Sequence, residues 1–292
     1  MKPYYADETV AIYHADVRAI GAELLPELAA VVTSPPYNVG LDYGDRVNDS
    51  GEWDEYRALA EWTCGLAAHA LIPGGRAWVN VTPVVPVAPL APGDHSGRCY
   101  KRRLNLLGLW TSTLEASGLE LWDIVCWPTP GRGPGTAWGS WASPAAPNLR
   151  GEWEAIAVAY RETWGRPTPA AFANWKDELG GWTGLVSNVW RMQPEPRDPG
   201  GHPAPFPLEL ALNAIRLSSW PGESVLDPFM GTGTVLRAAK DLGRKAIGIE
   251  INEAYCETAA NRMRQATMFE NAPAMPATVG AAQLSMLSGG SE

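Results

Sequence analysis

Ser224-Val225-Leu226-Asp227-Pro228-Phe229-Met230-Gly231-Thr232-Gly233-Thr234 reads as a short buried strand, a glycine-bearing turn and the start of a helix. Helical spacing continues over residues 234–242, a second apolar strand follows over 245–250, and helical spacing resumes over 253–268. Strand, helix and strand in that order need a parallel pair joined by a crossover. The two glycines let the backbone approach a ligand closely, and the helix start behind them favours a negatively charged group.

Glu250 ends the second strand, and an acid about twenty residues after a Gly-rich turn suits the two hydroxyls of a ribose. A nicotinamide dinucleotide is the obvious competitor for such a turn. Two features count against it. Asp227 heads the turn, where it would repel a pyrophosphate and welcome an ammonium group. Position 236, the third glycine of the dinucleotide pattern, is Leu236. A nucleoside that carries an amino acid fits better, and S-adenosylmethionine is such a molecule.

A second stretch earlier in the chain, Thr33-Ser34-Pro35-Pro36-Tyr37-Asn38, closes the apolar run 29–32. Two prolines fix φ and remove two backbone donors, leaving carbonyls as acceptors between a hydroxyl and an aromatic ring. Such a loop can hold a planar group bearing an amine. Read alone, it is equally a stiff turn with a packed tyrosine.

The rest of the chain alternates. Residues 10–14 read as a strand followed by Asp16, then a short helical stretch. The polar stretch 40–51 precedes a helix over 53–71 that Pro73-Gly74-Gly75 stops. A strand follows over 76–81, a proline-rich excursion over 82–97, a helix over 104–117 and a strand over 121–127. The Gly/Pro/Trp-rich stretch 128–147 is too long for an ordinary connector and suits a binding loop or lid. A strand over 155–160 comes next. Residues 161–201 show no period and read as an appended lobe. Helical spacing returns over 208–217. The tail from residue 270 is rich in Ala, Pro, Gly and Ser and reads as disordered. Alternating strands and helices predict an α/β protein with a mostly parallel central sheet and helices on both faces.

Size and charge narrow the function. A chain of 292 residues and 31.5 kDa can bury one large core with a small lobe. Its 46% hydrophobic content is that of a soluble globular protein. The 14 tryptophans suggest aromatic surfaces as well as core. No apolar stretch is long enough to span a membrane, and the first residues lack the core of a signal peptide. The four cysteines are scattered, which excludes a zinc or disulfide framework and predicts a reducing cytoplasm. No metal site is expected. A net charge of −9 and a pI near 5.1 argue against a general nucleic-acid coat, so any DNA face is local. Arg98, Lys101, Arg102 and Arg103 form one such candidate cluster.

The two motifs together resemble the DNA amino-methyltransferases, in particular the permuted group whose catalytic loop precedes its cofactor loop. Residues 201–207, Gly-His-Pro-Ala-Pro-Phe-Pro, are similar to the pattern upstream of that family's cofactor half. Gly139-Ser140-Trp141 followed by Glu152 at a strand head is similar as well. The resemblance covers residues 8–265 apart from 161–198. It implies a Rossmann-like S-adenosylmethionine-dependent methyltransferase fold with a small target-recognition lobe. The division is then a catalytic half at 1–160, a target lobe at 161–198, a cofactor half at 199–269 and a tail at 270–292.

The resemblance assigns cofactor contacts to Asp227, Pro228, Phe229, Gly231, Thr232, Gly233, Thr234 and Glu250, with Thr33 beside them. Asp16 resembles the adenine-contacting acid, although an aspartate at a strand end needs no such role. His202 and Phe206 would shape the methionine end, His202 equally serving as a helix cap. Asn252 suits an N-cap better than a ligand. Ser34, Pro35, Pro36 and Tyr37 form the catalytic set. Serine before Pro-Pro-Tyr resembles the cytosine-N4 branch, with adenine N6 as the alternative target.

In duplex DNA the base must be flipped out, at a cost of about a few kcal/mol. Stacking on Tyr37 returns roughly 1–3 kcal/mol. Ser34 and the Pro35 carbonyl accept the amine hydrogens, and alignment supplies much of the rate. Serine is too weak a base to act first, so proton loss accompanies or follows transfer, with no covalent enzyme intermediate. No cysteine lies in the motifs, which opposes C5 methylation. Candidate DNA contacts are Arg102, Arg103, Trp141, Arg161, Arg166, Lys176 and Arg191, of which Arg161, Arg166, Lys176 and Arg191 are each equally a phosphate contact or a solvated charge. Expected partners are double-stranded DNA, a cognate restriction endonuclease and a second copy of the chain. RNA or side-chain amide methylation, a DNA-binding regulator with an inactive cofactor site, and an oxidoreductase are the remaining alternatives.

Overall fold

The computed structural model describes residues 1–40, 51–86, 103–129, 149, 151–172, 185–193 and 207–265. In chain order these form β1 (Tyr5–Ala6), β2 (Val10–His14), β3 (Leu28–Thr33), α1 (Trp53–Ala70), β4 (Leu71–Val81), β5 (Val84–Pro86) and β6 (Arg103–Asn105). There follow α2 (Leu106–Ala116), β7 (Leu119–Pro128), β8 (Trp153–Arg161), α3 (Leu208–Arg216), β9 (Ser224–Asp227), α4 (Thr234–Asp241), β10 (Lys245–Glu250) and α5 (Glu253–Met263). Short 3-10 turns occupy Val17–Ala19 and Ala22–Leu24, where the sequence predicted a short helix.

One sheet runs in the order β1-β2-β10-β9-β3-β4-β8-β7. The strands from β2 to β4 are parallel, whereas β8 runs antiparallel to both β4 and β7. Period-two alternation builds a core on each face. Val10, Ile12, Ala30, Val32 and Trp78 point to the side covered by α3, α4 and α5. Ala11, Tyr13, Val31, Ala77 and Val79 point to the side covered by α1 and α2. This is the expected Rossmann-like α/β arrangement.

Several boundaries differ from the sequence reading: the helix expected over 253–268 ends at Met263, and the strands expected over 121–127 and 155–160 extend to Leu119–Pro128 and Trp153–Arg161. The helix expected from residue 104 starts at Leu106, because the Asn105 side chain accepts from Gly108 N–H at 2.8 Å and residues 103–105 pair with β5. The first helix ends at Ala70, and β4 already begins at Leu71 and runs through Pro73, Gly74 and Gly75.

Three aromatic residues of the stretch 161–198 stack on residues outside it. Trp164 stacks on Trp122 at 4.0 Å, with the Arg76 guanidinium 4.3 Å above its ring. Phe172 stacks on Trp220 at 5.3 Å. Trp190, 3% exposed, stacks on Trp78 at 5.5 Å. Its backbone N–H donates to Cys126 O at 2.9 Å, so residues 188–190 run along β7. Residues 173–184 lie outside the described residues.

Candidate active site at the carboxyl edge of the sheet

Because β2, β10, β9, β3 and β4 are parallel, their last residues share one edge, the edge at which open α/β sheets bind ligands. His14, Glu250, Asp227, Thr33, Asn80 and Val81 all lie there. The antiparallel β8 adds its beginning to the same edge, since Ala155 pairs with Val81.

Asp227 ends β9 and is 1% exposed. Its Oδ1 accepts from Thr33 Oγ1 at 2.7 Å and from Phe229 N–H at 3.1 Å. Its Oδ2 is buried without a hydrogen-bond partner. Burial raises its pKa to about 7; the two donors pull it down and the Glu250 charge adds to the rise. A buried carboxylate oxygen with nothing donating to it is costly, and an ammonium group is the donor that would satisfy it.

Glu250 ends β10, and burial raises its pKa as well. Its two oxygens accept from Asn252 N–H at 2.8 Å and Gly231 N–H at 2.9 Å. Ile251 N–H also donates to this carboxylate, which leaves acceptor capacity for a hydroxyl. The turn between them takes positive φ at Gly231 (51°) and Gly233 (84°), a conformation open to glycine. A Cβ at Gly233 would also meet the Ala259 Cβ at 3.0 Å. Pro228 and Thr232 are buried in this turn, and Thr234 opens α4. The donor and acceptor set therefore fits an amino-acid-bearing nucleoside: an unsatisfied carboxylate oxygen for the ammonium, and Glu250 for the ribose.

The Pro-Pro loop leaves β3 at Thr33 and is held on four sides. Thr33 is tied to Asp227, as above. The Pro36 carbonyl accepts from Tyr56 Oη at 2.7 Å, and Tyr56 Oη accepts from Trp110 Nε1 at 3.0 Å. Asn38, at φ 57°, exchanges two hydrogen bonds with Gly51, at 2.9 and 2.8 Å. Tyr37 Oη donates to Glu154 Oε2 at 3.0 Å and lies 3.4 Å from Ser34 Oγ. Burial and the neighbouring Glu154 carboxylate hold the Tyr37 hydroxyl well above its ordinary pKa, so it stays protonated. Among the described residues no donor takes the Pro35 carbonyl.

Asn80 and Glu154 are the site residues that the motifs did not single out. Asn80 Nδ2 donates to Glu154 Oε2 at 2.8 Å and to Tyr37 Oη at 3.0 Å. The sequence reading placed weight on Glu152 at the strand head. The structure brings Glu154 into the cluster instead, while Glu152 is exposed and gives its carbonyl to Thr129 N–H. An acid opening an otherwise apolar strand was the available signal.

Other expected residues fall as follows. Asn252 caps α5, accepting from Ala254 N–H at 2.8 Å and Tyr255 N–H at 3.3 Å, so its side chain is occupied as a cap. Asp16 follows β2 and pairs with Arg18, capping a 3-10 turn. Arg161 is structural: its guanidinium donates to His69 O and Leu71 O at the α1–β4 junction and pairs with Glu162. Arg166 pairs with Glu223 and donates to Ser218 O. Arg103 and Arg191 are exposed. Arg102, Trp141, Lys176, His202 and Phe206 lie outside the described residues. Among the described residues, no cluster of His, Cys, Asp or Glu could hold a metal ion, and no helix is long and apolar enough to cross a membrane.

The family model for DNA methylases matches residues 28–261, from β3 through the turn to α5. The chain belongs to that DNA methylase family. The methylase is 26% identical over 296 residues to the type II methyltransferase M2.LlaDCHI of Lactococcus lactis subsp. cremoris, covering 92% of this chain and 94% of that one. It is 43% identical over 75 residues to the type II methyltransferase M.SmaI of Serratia marcescens, a match spanning only 26% of this chain and 25% of that one. The solved structure of TTHA0409 from Thermus thermophilus, a complex with S-adenosyl-L-methionine, superposes with a TM-score of 0.61 at 26% identity. It covers 86% of this methylase and 91% of that chain.

Proposed function

We propose that this methylase transfers a methyl group from S-adenosylmethionine to the exocyclic N4 amine of a cytosine flipped out of double-stranded DNA. The observation that carries the reading is the 2.7 Å hydrogen bond from Thr33 to Asp227, which fastens the amine-binding loop to the nucleoside-binding turn. Asp227, Gly231, Gly233 and Glu250 would hold the cofactor, which supplies a methyl on a positively charged sulfur. On the protein side, the Tyr37 ring stacks on the flipped base. Ser34 Oγ and the Pro35 carbonyl accept the two amine hydrogens and turn the nitrogen lone pair toward the methyl. As the new N–C bond forms, the methyl–sulfur bond would break with its electron pair left on a neutral thioether sulfur, and the amine would give one proton to solvent water; no enzyme atom becomes covalently attached.

Cytosine N4 is favoured over adenine N6 by the serine before Pro-Pro-Tyr. Tritium-labelled cofactor incubated with unmethylated DNA, followed by digestion to nucleosides and mass identification, tests both steps. N4-methylcytosine is the expected product, N6-methyladenine refutes the target, and no label in DNA refutes the activity. Ser34→Ala should lower the rate by about 100-fold, in keeping with a lost transition-state hydrogen bond and misalignment; a full rate would sink the serine's role.

On this reading Arg103 and Arg191, both exposed, would contact DNA. The type II names of the relatives extend the proposal to a cognate endonuclease. A homodimer is part of the same reading, and light scattering on the free protein checks it.

A further inference from the structure

Resting on the methyltransferase reading, we propose that Glu154 is a positioning residue that sets the direction of the hydrogen bonds through Tyr37 and Asn80 to Ser34. A carboxylate only accepts. Glu154 Oε2 lies 3.0 Å from Tyr37 Oη and 2.8 Å from Asn80 Nδ2, so both hydrogens point at it. With its hydrogen committed, Tyr37 Oη offers only lone pairs to its other neighbours. It takes the second Asn80 Nδ2 hydrogen at 3.0 Å and faces Ser34 Oγ at 3.4 Å.

The Ser34 hydroxyl hydrogen then has two acceptors in range, Tyr37 Oη and the Asn80 backbone carbonyl, both at 3.4 Å. Either choice turns that hydrogen inward. Asn80 Nδ2 lies 3.4 Å from Ser34 Oγ and meets one serine lone pair from inside; the other lone pair is left facing outward, as an acceptor of an amine hydrogen must present it. Remove the carboxylate and the chain loses its fixed sense. Tyr37 can then donate to Ser34 or to the Asn80 carbonyl, which also lies 3.4 Å from it, and the serine can turn its hydrogen toward the target amine, where it repels.

Asn80 cannot set that direction alone, because its amide carries donor and acceptor on either side. It is a β4 residue, 1% exposed and paired with Ile156 of β8, and its Oδ1 has no partner. Glu154 is thus the one acceptor-only side chain in the cluster. Its place follows from topology: β8 runs antiparallel, so its second residue meets the end of β4.

The test is single-turnover transfer of labelled methyl to unmethylated DNA by the full chain, with cofactor affinity measured by calorimetry on each variant. Glu154→Ala should slow transfer by about 100-fold, the scale of a misplaced reacting group, while the cofactor Kd and the KM for DNA stay within about threefold. Glu154→Gln offers Tyr37 and Asn80 an acceptor oxygen in one amide orientation and a donor in the other, so it should recover only part of the rate, to within about tenfold of wild type. The Glu154→Ala loss should shrink to about threefold when measured in a Tyr37→Phe background, since the two share one path.

A wild-type rate in Glu154→Ala, or full additivity with Tyr37→Phe, would overturn the proposal. So would a Glu154→Gln variant as slow as the alanine, which would make the negative charge the active property. Should Glu154→Ala fail to bind cofactor, Glu154→Gln and the Tyr37→Phe/Glu154→Gln pair decide on the same criteria. A wild-type protein that binds cofactor and methylates no DNA defeats the methyltransferase reading itself. An active wild type with an indifferent Glu154 defeats only this inference.

Discussion

At the scale of single residues, Asp227 carries the sharpest expectation. Burial raises its pKa to about 7, so near neutrality the free protein holds a proton there that the unfolded chain has released. Its contribution to stability is therefore fullest at low pH and is lost as pH rises through about 7. Cofactor binding has the opposite sense, because an ammonium group needs the ionised form. Below about pH 7 the cofactor Kd should rise toward tenfold per pH unit, and above it the Kd should level off. Asp227→Asn should flatten that dependence and weaken binding at pH 8 by about tenfold or more, the loss of one charge-assisted hydrogen bond. Calorimetry from pH 5.5 to 8.5 on both proteins, in buffers of matched ionic strength, reads this directly. A parallel slope in the two proteins would locate the titration elsewhere.

At the scale of elements, the sequence was most legible where the signal was local. The strand, turn, helix and strand from residue 224 to 250 follow from spacing and two glycines, and Asn252 is the cap it was expected to be. Glu154 could not be seen that way, since its role depends on pairing β8 against β4, residues more than seventy positions apart. The same holds for the aromatic contacts of the stretch 161–198. Trp164, Phe172 and Trp190 sit in a stretch without periodicity, yet each stacks on an aromatic partner in the main body, across distances that no local window samples. The cations there divide accordingly. Arg161 is committed to backbone carbonyls behind the sheet, whereas Arg191 is exposed just past the strip that runs along β7. Arg161→Ala should lower the melting temperature and leave the salt dependence of DNA binding alone. Arg191→Ala should leave melting unchanged and reduce the slope of log K against log salt by about one. Exchanged outcomes would reverse the assignment of the two arginines.

At the scale of the whole molecule, the two motif-bearing halves are interleaved. Strands β9 and β10, from the C-terminal part, lie between β2 and β3 from the N-terminal part. Leu226 pairs with both Val31 and Ile247, and Ile247 with Ala11. Neither half can complete its sheet alone, and the cores on both faces draw on both halves. The turn after Asp227 therefore cannot melt separately from the Pro-Pro loop, to which the Thr33–Asp227 hydrogen bond also ties it. Calorimetric melting of the full chain should show one cooperative transition for this body. Cofactor at a hundred times its Kd adds about 2.7 kcal/mol to the folded state, which should move that single transition upward by roughly 5 °C. If the transition splits and cofactor shifts only one component, the halves are independent units and the shared sheet is not what couples them. If the whole transition moves, the bond between the two loops is part of one cooperative structure, and a ligand held at the turn stabilises the geometry of the Pro-Pro loop.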